Sequence, residues 1–216
     1  MNTQAVFVSG TDTHIGKTIV CSWLCTHWQA DYWKPIQSGL DGETDSQTCQ
    51  RLSPTTRIHS ECYRLRNPLS PHAAAQLDNQ HIDLAQFRLP HANKLIIEGA
   101  GGLLVPLNHK KFIIDLINQF ATPTILVASS ELGTINHTLL SLEALHHRHI
   151  PCLGVILVGK PNESNAQAIE QFGNIAVLDQ LPWFEPLHSN CLKQRPLSKP
   201  LLQALTHNKT AQDECP

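Results

Sequence analysis

The segment Gly10-Thr11-Asp12-Thr13-His14-Ile15-Gly16-Lys17-Thr18 lies between a strand-like apolar run at residues 4–9 and a helical pattern over about residues 16–29. A glycine-bearing turn that joins a strand to a helix places backbone N–H groups around a bound phosphate. In such a loop Lys17 reaches the β- and γ-phosphates, and the Thr18 hydroxyl binds Mg²⁺. Five residues separate the two glycines, where the usual loop has four. The segment predicts nucleotide binding; the alternative is an ordinary turn with a fortuitous Gly-Lys-Thr.

Apolar runs alternate with helical patterns along most of the remaining chain. Runs typical of strands that are buried on both faces occur at residues 32–36, 94–98, 124–128, 152–158 and 175–178. Helical patterns occupy residues 112–120 and 134–149, with weaker ones at 163–172 and 197–205. Repeated strand, helix, strand order favours parallel strands with right-handed crossovers. We therefore predict an α/β fold of the P-loop NTPase type, with a mostly parallel twisted sheet and helices on both faces.

The stretch at residues 38–90 interrupts this alternation. It contains turn residues, two short helix candidates and no clear buried strand. Ser70 is a candidate N-cap before Pro71, and Asp83 is a candidate cap for the second helix. We predict that residues 1–207 form a single domain in which residues 38–90 are an insertion over the active edge of the sheet. Residues 208–216 are expected to be a polar tail.

The composition limits the classes of protein to which the chain can belong. Its 216 residues are 41% apolar and 16% charged, with a net charge of −2 when histidine is neutral. These values exclude a charge-rich disordered chain and give no electrostatic footprint for nucleic acid or an anionic membrane. No apolar run approaches the ~20 residues of a membrane span, and the N-terminus lacks a signal-peptide pattern. We therefore expect a cytoplasmic protein with no nucleic-acid or membrane partner.

Cysteine and histidine are frequent but form no recognisable metal motif. The seven cysteines are scattered without a Cys-x-x-Cys pair, so we expect reduced thiols. Cys21 and Cys25 lie four residues apart on one helix face and are interpreted as core residues. Three histidines at residues 146–149 close a predicted helix, where cationic side chains stabilise free carbonyl groups.

Three charged residues outside the phosphate loop are candidates for the same site. Glu98 ends the apolar run at residues 94–98, and open α/β sheets bind ligands at the carboxyl ends of their strands. Glu98 can hold Mg²⁺ directly or through water, or it can cap the following loop. Lys34 follows a short strand and can offset charge on a transferring phosphoryl group, although alone it would be an ordinary surface residue. Asp45 lies in a polar loop and gains a role only if a metal ion binds beside it.

Together these motifs resemble those of the dethiobiotin synthetase family. The matching segments occur in the family's order and cover about residues 5–183. The five-residue spacing of the phosphate loop is also the family's own form. The matching segments are Gly10-Thr11-Asp12-Thr13 with Gly16-Lys17-Thr18, Lys34-Pro35-Ile36-Gln37-Ser38-Gly39, Asp45, Ser70-Pro71-His72, Glu98-Gly99-Ala100-Gly101-Gly102, Leu132-Gly133-Thr134-Ile135-Asn136-His137 and Pro182-Trp183.

The resemblance implies ATP- and Mg²⁺-dependent carboxylation and ring closure of 7,8-diaminopelargonate with CO₂. In the family, an amine of the substrate captures CO₂ as a carbamate, and a carbamate oxygen attacks the γ-phosphorus. The second amine then closes the ring of dethiobiotin and expels phosphate from the carbamic–phosphoric anhydride. ATP would be a co-substrate, and Lys17, Lys34 and Mg²⁺ would neutralise the two anions that must meet.

The resemblance also assigns roles to residues of this chain. The catalytic residues would be Lys17, Thr18 and Lys34, and the metal ligands would be Thr18, Asp45 and Glu98. The nucleotide would contact Thr13, His14, Ile15, Gly16, Lys17, Thr18, Glu98 and Pro182. The diamine or its carbamate would contact Thr13, Lys17, Lys34, Ser38, Gly133, Thr134, Ile135 and Asn136.

The segment Gly133-Thr134-Ile135-Asn136 opens a predicted helix, whose free N–H groups suit an anion. In the family, a helix start at this place receives the substrate's tail carboxylate across a dimer interface, which implies an obligate homodimer. The alternative is a plain N-cap by Thr134 or Asn136.

Two positions depart from the family. His14 stands where members often have glutamate, and residues 157–160 lack the asparagine that can bind adenine.

Two other function classes use a similar phosphate loop. The synthetase domain of a cobyrinate-type amidotransferase is joined to a glutaminase domain, for which 216 residues leave no room. A nucleotide-driven switch that binds a protein or membrane partner typically carries a second lysine early in the loop, and Thr11-Asp12-Thr13 contains none. The ligase and the switch differ in whether phosphate release depends on the diamine.

Overall fold

The computed structural model describes residues 3–207 of the chain. Strands and helices alternate along this part. The strands are β1 (Gln4–Gly10), β2 (Asp31–Trp33), β3 (Ile36–Ser38), β4 (Ile58–His59), β5 (Tyr63–Leu65), β6 (Lys94–Gly102), β7 (Thr124–Ser129), β8 (Cys152–Val158) and β9 (Val177–Leu181). The helices are α1 (Lys17–Trp28), α2 (Asp45–Leu52), α3 (Pro71–Leu77), α4 (Ile113–Phe120), α5 (Thr134–His147), α6 (Glu163–Gly173), α7 (Ser189–Gln194) and α8 (Lys199–Thr206). The predicted polar tail lies outside the described residues.

Seven of these strands form one sheet in the order β4-β2-β6-β1-β7-β8-β9. Every neighbouring pair in it is parallel. Strand β1 lies between β6 and β7, and its residue Val8 is opposite Glu98 of β6. The phosphate loop follows the end of β1, whereas Glu98 lies within β6, which continues to Gly102. The expectation that Glu98 ends its strand was therefore wrong, because the glycine-rich segment after it extends the pairing with β1. The predicted parallel sheet is confirmed.

Helices cover both faces of this sheet because β1 alternates its side chains between two apolar layers. Val6 and Val8 pack in a layer with residues of α1, α7 and α8. Ala5 and Phe7 face the opposite layer, which contains residues of α3 and α4. The predicted cover on both faces is thus confirmed. Within residues 3–207, no helix is both long and apolar enough to cross a membrane.

The buried cysteines belong to the first of these layers. Cys21 and Cys25 of α1 and Cys49 of α2 pack there, each at most 2% exposed. All cysteines in the described part of the chain are free thiols, as predicted.

The predicted strand at residues 32–36 is two strands in different sheets. Strand β2 lies in the main sheet, whereas β3 pairs with β5 in a separate two-stranded sheet. Lys34 and Pro35 separate them, and proline cannot donate a ladder hydrogen bond. The last predicted strand, at residues 175–178, begins later, as β9.

The stretch at residues 38–90 contains more regular structure than its sequence predicts. The sequence shows no clear buried strand there, and the structure adds two short strands that are mostly not buried: β4 extends the edge of the main sheet and β5 pairs with β3. Such strands of two or three residues are too short for a periodic signal. Ser70 is the N-cap residue of α3, as predicted, but its hydroxyl makes no hydrogen bond to the helix backbone and instead bonds to Nδ1 of His72 at 3.0 Å. Asp83 caps a short 3₁₀ turn, Leu84–Gln86, by accepting from the N–H of Ala85.

The central strand β7 allows a direct test of this core. Leu126 is fully buried in β7, between β1 and β8. We expect Leu126→Ala to lower the free energy of unfolding by about 2–5 kcal/mol, because it removes apolar contacts and leaves a cavity. Leu202→Ala is the matched control: Leu202 on α8 is 45% exposed, and its loss should cost about 0.5 kcal/mol or less. Urea denaturation measures both variants, and equal effects would contradict the assigned core.

Candidate active site

The phosphate loop joins β1 to α1 and curls around its own lysine. Lys17 Nζ donates to the backbone oxygen of Asp12 at 2.7 Å. Gly16 is the N-cap of α1 with φ of 91°, and no side chain caps the helix. The N–H groups of the first turn are therefore open to an anion at the positive end of the helix dipole.

Glu98 is the buried centre of the site. It is 1% exposed and lies on β6. Its Oε1 accepts from the Thr18 hydroxyl at 2.9 Å and from Lys34 Nζ at 3.0 Å. Its Oε2 accepts from the Tyr32 hydroxyl at 2.8 Å. Glu98 is thus fixed by three side chains and does not serve only as a loop cap.

Asp45 completes this group from the other side. It is the first residue of α2, so its expected place in a polar loop was wrong. Asp45 Oδ1 accepts from Thr18 Oγ1 at 3.2 Å, and Oδ2 lies 2.5 Å from Lys34 Nζ. We call Thr18, Lys34, Asp45 and Glu98 the charge cluster.

The start of α2 is held in place by its cap and by Gln37. Thr44 and Gln47 form a reciprocal capping box. Gln37 Oε1 accepts from the Asp45 N–H at 3.2 Å, and Gln37 Nε2 donates to the backbone oxygen of Ser38 at 3.0 Å. The turn after β3 therefore fixes the helix end that carries Asp45.

Opposite charges hold Lys34 and Asp45 ionised. Burial lowers the pKa of Lys34, whereas the negative charges of Glu98 and Asp45 and the hydrogen bonds to both residues raise it. The raising effects are larger, so the pKa of Lys34 lies above its ordinary value. Burial raises the pKa of Asp45, but Lys34 and the Thr18 hydrogen bond more than offset it, so this pKa lies below its ordinary value. Both groups are charged at neutral pH.

Lys17 has the opposite electrostatic balance. Burial lowers its pKa and the nearby charge of Lys34 lowers it further, while Glu98 and Asp45 only partly compensate. Its ammonium is 2.7 Å from a neutral carbonyl oxygen. An added anion would therefore stabilise the charged form of Lys17 more than that of Lys34.

A cleft of about 520 Å³ opens over the phosphate loop and the charge cluster. It brings together most of the predicted site residues, which are Thr13, His14, Gly16, Lys17, Thr18, Lys34, Ser38, Asp45 and Glu98. Apolar side chains form the remaining wall; they include Ile36, Pro68, Leu69, Val105 and Trp183. A polar floor with an apolar wall suits a ligand that has a charged end and an aliphatic or aromatic body.

A larger groove of about 710 Å³ lies elsewhere, between α5, α6 and the segment before β8. It is lined mainly by apolar side chains such as Leu139, Leu142 and Phe172. None of the predicted site residues lines it, so its size does not make it the active site.

Some predicted site residues lie outside the cleft. Ile15 is buried in the core, so only its backbone can face a nucleotide. The start of α5 is not part of the cleft wall, although Gly133, Thr134, Ile135 and Asn136 were predicted to bind substrate. Gly133 is the N-cap of α5 with φ of 94° and no side chain caps the helix, so the plain N-cap by Thr134 or Asn136 is wrong.

Other contributors were missed by the sequence analysis. Trp183 lines the cleft beside the predicted Pro182, and its ring lies against Gly16. Its position just after β9, at the carboxyl end of a strand, was the available signal. Tyr32 and Gln37 hydrogen-bond to Glu98 and to the Asp45 N–H, and nothing in the sequence gives the direction of their side chains.

Known proteins match this chain along most of its length. A family model described as an AAA domain matches residues 4–190. The ATP-dependent dethiobiotin synthetase BioD of Paramagnetospirillum magneticum is 49% identical over 179 residues, which are 82% of this chain and 87% of that protein.

The chain belongs to the dethiobiotin synthetase family.

A second relative is a longer protein, of which this chain matches only a part. The biotin biosynthesis bifunctional protein BioCD of Bordetella avium is 48% identical over 206 residues, and the match covers 94% of this chain but 44% of that protein.

Among solved structures, the septum site-determining protein MinD complexed with Mg-ADP, from Pyrococcus horikoshii OT3, superposes with a TM-score of 0.54. That match has 12% sequence identity and covers 94% of each chain, so it supports the P-loop fold alone.

Gly16 allows a test of the phosphate loop of this synthetase. An added Cβ would lie 2.9 Å from Val158 Cγ1, at a backbone φ of +91° that side chains rarely adopt. We expect Gly16→Ala to lower the free energy of unfolding by about 1–3 kcal/mol and to weaken ADP binding. Gly42→Ala is the matched control because an added Cβ there meets nothing within 4 Å. Thermal denaturation with and without ADP measures both, and a Gly16→Ala protein as stable as the control would contradict this loop geometry.

Proposed function

We propose that the cleft forms dethiobiotin from 7,8-diaminopelargonate, CO₂ and ATP. Family membership supports the overall reaction. The observation that carries the proposal is the placement of the charge cluster and Lys17 in one cleft beside the open end of α1. Two anions, a triphosphate and a carbamate, must come together in the reaction, and the cleft supplies fixed positive charge for both.

The charge cluster fits a Mg²⁺ ion. The hydroxyl of Thr18 and the carboxylates of Asp45 and Glu98 converge there, and Mg²⁺ prefers such oxygen ligands. Within residues 3–207, no group of three or more His, Cys, Asp or Glu side chains is arranged to hold a metal ion. Phosphate oxygens and water would therefore complete the coordination, as is usual for Mg²⁺ at nucleotide sites. The bound ion would supply positive charge that stabilises the transferring phosphoryl group.

The nucleotide is proposed to lie along the phosphate loop. The N–H groups at the start of α1 would bind the β-phosphate, and Lys17 would release Asp12 to reach the γ-phosphate. Trp183 lines the cleft with its ring against Gly16. It would contact the base there, together with the predicted Pro182 that precedes it. The predicted contacts of Thr13, His14 and Ile15 fit this path, with backbone groups as the main donors.

The diamine is proposed to bind on the opposite side of Lys17. Ser38 lines the cleft, and its Oγ is buried without a hydrogen-bond partner. A buried hydroxyl without a partner is costly, so a polar group of the substrate would complete it. Thr13 lies across the cleft and would contact the same group.

The chemistry requires the protein to position reactants and neutralise charge, not to form a covalent intermediate. An amine nitrogen bonds to CO₂ and loses a proton, and the resulting carbamate oxygen bonds to the γ-phosphorus as ADP leaves. The second amine then bonds to the carbamate carbon and loses a proton, and phosphate departs with the C–O electron pair. Lys17 would contact both carbamate and γ-phosphate throughout. Lys34 would move from Asp45 toward the developing negative charge, because its flexible stem allows that shift.

The start of α5 is proposed to act in a homodimer. Gly133–Asn136 lie outside the cleft of their own chain, so they would bind the substrate's tail carboxylate in the cleft of a partner subunit. The adjacent Leu132 is fully exposed and Leu140 is 57% exposed, which supports burial of this surface against a second copy.

We also propose that the protein is cytoplasmic.

Product formation tests the function directly. Incubation with the diamine, bicarbonate, Mg²⁺ and ATP should release phosphate only when the diamine is present and should yield a cyclic urea, detected by mass spectrometry.

We expect Lys17→Ala to lower kcat/KM by about 100-fold or more, because it removes a charge that faces both anions. Lys110→Ala is the control because Lys110 is exposed and outside the cleft.

Phosphate release that is indifferent to the diamine would contradict the ligase and indicate a nucleotide-driven switch. A Lys17→Ala protein with the activity of Lys110→Ala would remove Lys17 from the mechanism.

A further inference from the structure

The two carboxylate oxygens of Glu98 have different partners. Oε1 faces the charge cluster, where Thr18 and Lys34 donate to it at 2.9 and 3.0 Å. Oε2 points away from the cluster and accepts from the Tyr32 hydroxyl at 2.8 Å. The orientation of the ligand-facing oxygen therefore depends on how the other oxygen is held.

Tyr32 is well placed to hold that oxygen. It lies on β2, opposite Ile96 of β6, so the two strands fix the distance between its ring and Glu98. Its side chain is 0% exposed and packs in the same layer as Cys21 and Cys49. Its hydroxyl is the donor in this hydrogen bond, because a carboxylate oxygen only accepts.

Tyr32 does not itself reach the ligand. It is absent from the residues that line the cleft. Any effect on the reaction must therefore pass through Glu98.

We propose that Tyr32 is a positioning residue: its hydroxyl holds Oε2 of Glu98 so that Oε1 faces Thr18 and the Mg²⁺ site. This inference rests on the metal site proposed above. Removal of the hydroxyl leaves a buried carboxylate oxygen without this donor, and the carboxylate then turns or moves toward other partners. Loss of a hydrogen-bond partner behind a metal ligand typically costs 10–100-fold in metal affinity or activity.

Tyr32→Phe is the appropriate variant because it keeps the buried ring and removes only the hydroxyl. The measured quantity is the factor by which Mg²⁺ strengthens ADP binding, obtained from calorimetric titrations in MgCl₂ and in EDTA. We expect Tyr32→Phe to reduce this factor about 10-fold or more. ADP affinity in EDTA should not change, since the phosphate loop and Lys17 are untouched. A merely structural role would weaken both titrations together.

The chain offers a matched control, because Tyr63 is its other tyrosine. The Tyr63 hydroxyl also makes one hydrogen bond, from the Asp83 N–H at 3.0 Å, but outside the cleft. Tyr63→Phe should leave the Mg²⁺ factor at its wild-type value. Adding Tyr32→Phe to a Glu98→Gln protein should have no further effect, because the two residues act through one contact.

The outcomes separate this inference from the proposed function. If Glu98→Gln abolishes the Mg²⁺ factor and Tyr32→Phe does not change it, the positioning role is wrong and the metal site stands. If Glu98→Gln also leaves the factor intact, the metal site itself is wrong, and the role of Tyr32 fails with it.

A second measurement applies if Tyr32→Phe does not fold. Incorporation of 3-fluorotyrosine into the Tyr63→Phe protein labels Tyr32 alone. Its ¹⁹F resonance should shift when Mg²⁺ is added to the ADP complex, since the hydroxyl bonds to a metal ligand. A resonance that does not respond to Mg²⁺ contradicts the proposal.

Discussion

The buried ammonium of Lys34 between two carboxylates is the interaction on which the site depends. Lys34 is 4% exposed and Glu98 is 1% exposed, with Nζ 3.0 Å from Glu98 and 2.5 Å from Asp45. Loss of one partner of such a pair leaves an uncompensated buried charge, which typically costs about 3–5 kcal/mol. The residue after β2, the middle of β6 and the start of α2 must therefore meet at one point, although they are distant in sequence.

The parallel sheet makes that meeting possible. Because β2, β6 and β1 are neighbours, Lys34 after β2, Glu98 within β6 and the phosphate loop after β1 lie beside one cleft. The two lysines then differ in electrostatic state. The carboxylates raise the pKa of Lys34, whereas burial and Lys34 lower the pKa of Lys17. Lys34 is thus neutralised by carboxylates of the protein itself, whereas the ammonium of Lys17 would gain an opposite charge from a triphosphate.

Much of this arrangement could be predicted from local sequence. The buried strands and the phosphate loop have strong periodic or glycine signals, and Glu98 is the charged residue that interrupts the apolar run of β6. Helix α2 was not predicted, although Thr44 and Gln47 have the spacing of a capping box, because an eight-residue polar helix has little apolar periodicity. The direction of the Tyr32 side chain toward Glu98 depends on strand register and packing. The place of Trp183 against Gly16 depends on the fold as a whole, which no local pattern contains.

The central claim is that the charge cluster is where metal, phosphate and substrate charges are balanced. A crystal structure with Mn²⁺ and a non-hydrolysable ATP analogue tests it most directly, because the anomalous signal locates the ion without ambiguity. We predict an anomalous peak between the Thr18 hydroxyl and the carboxylates of Asp45 and Glu98, with the phosphates on the loop and Lys34 displaced from Asp45. A peak elsewhere, with Lys34 still between the two carboxylates, would contradict the account.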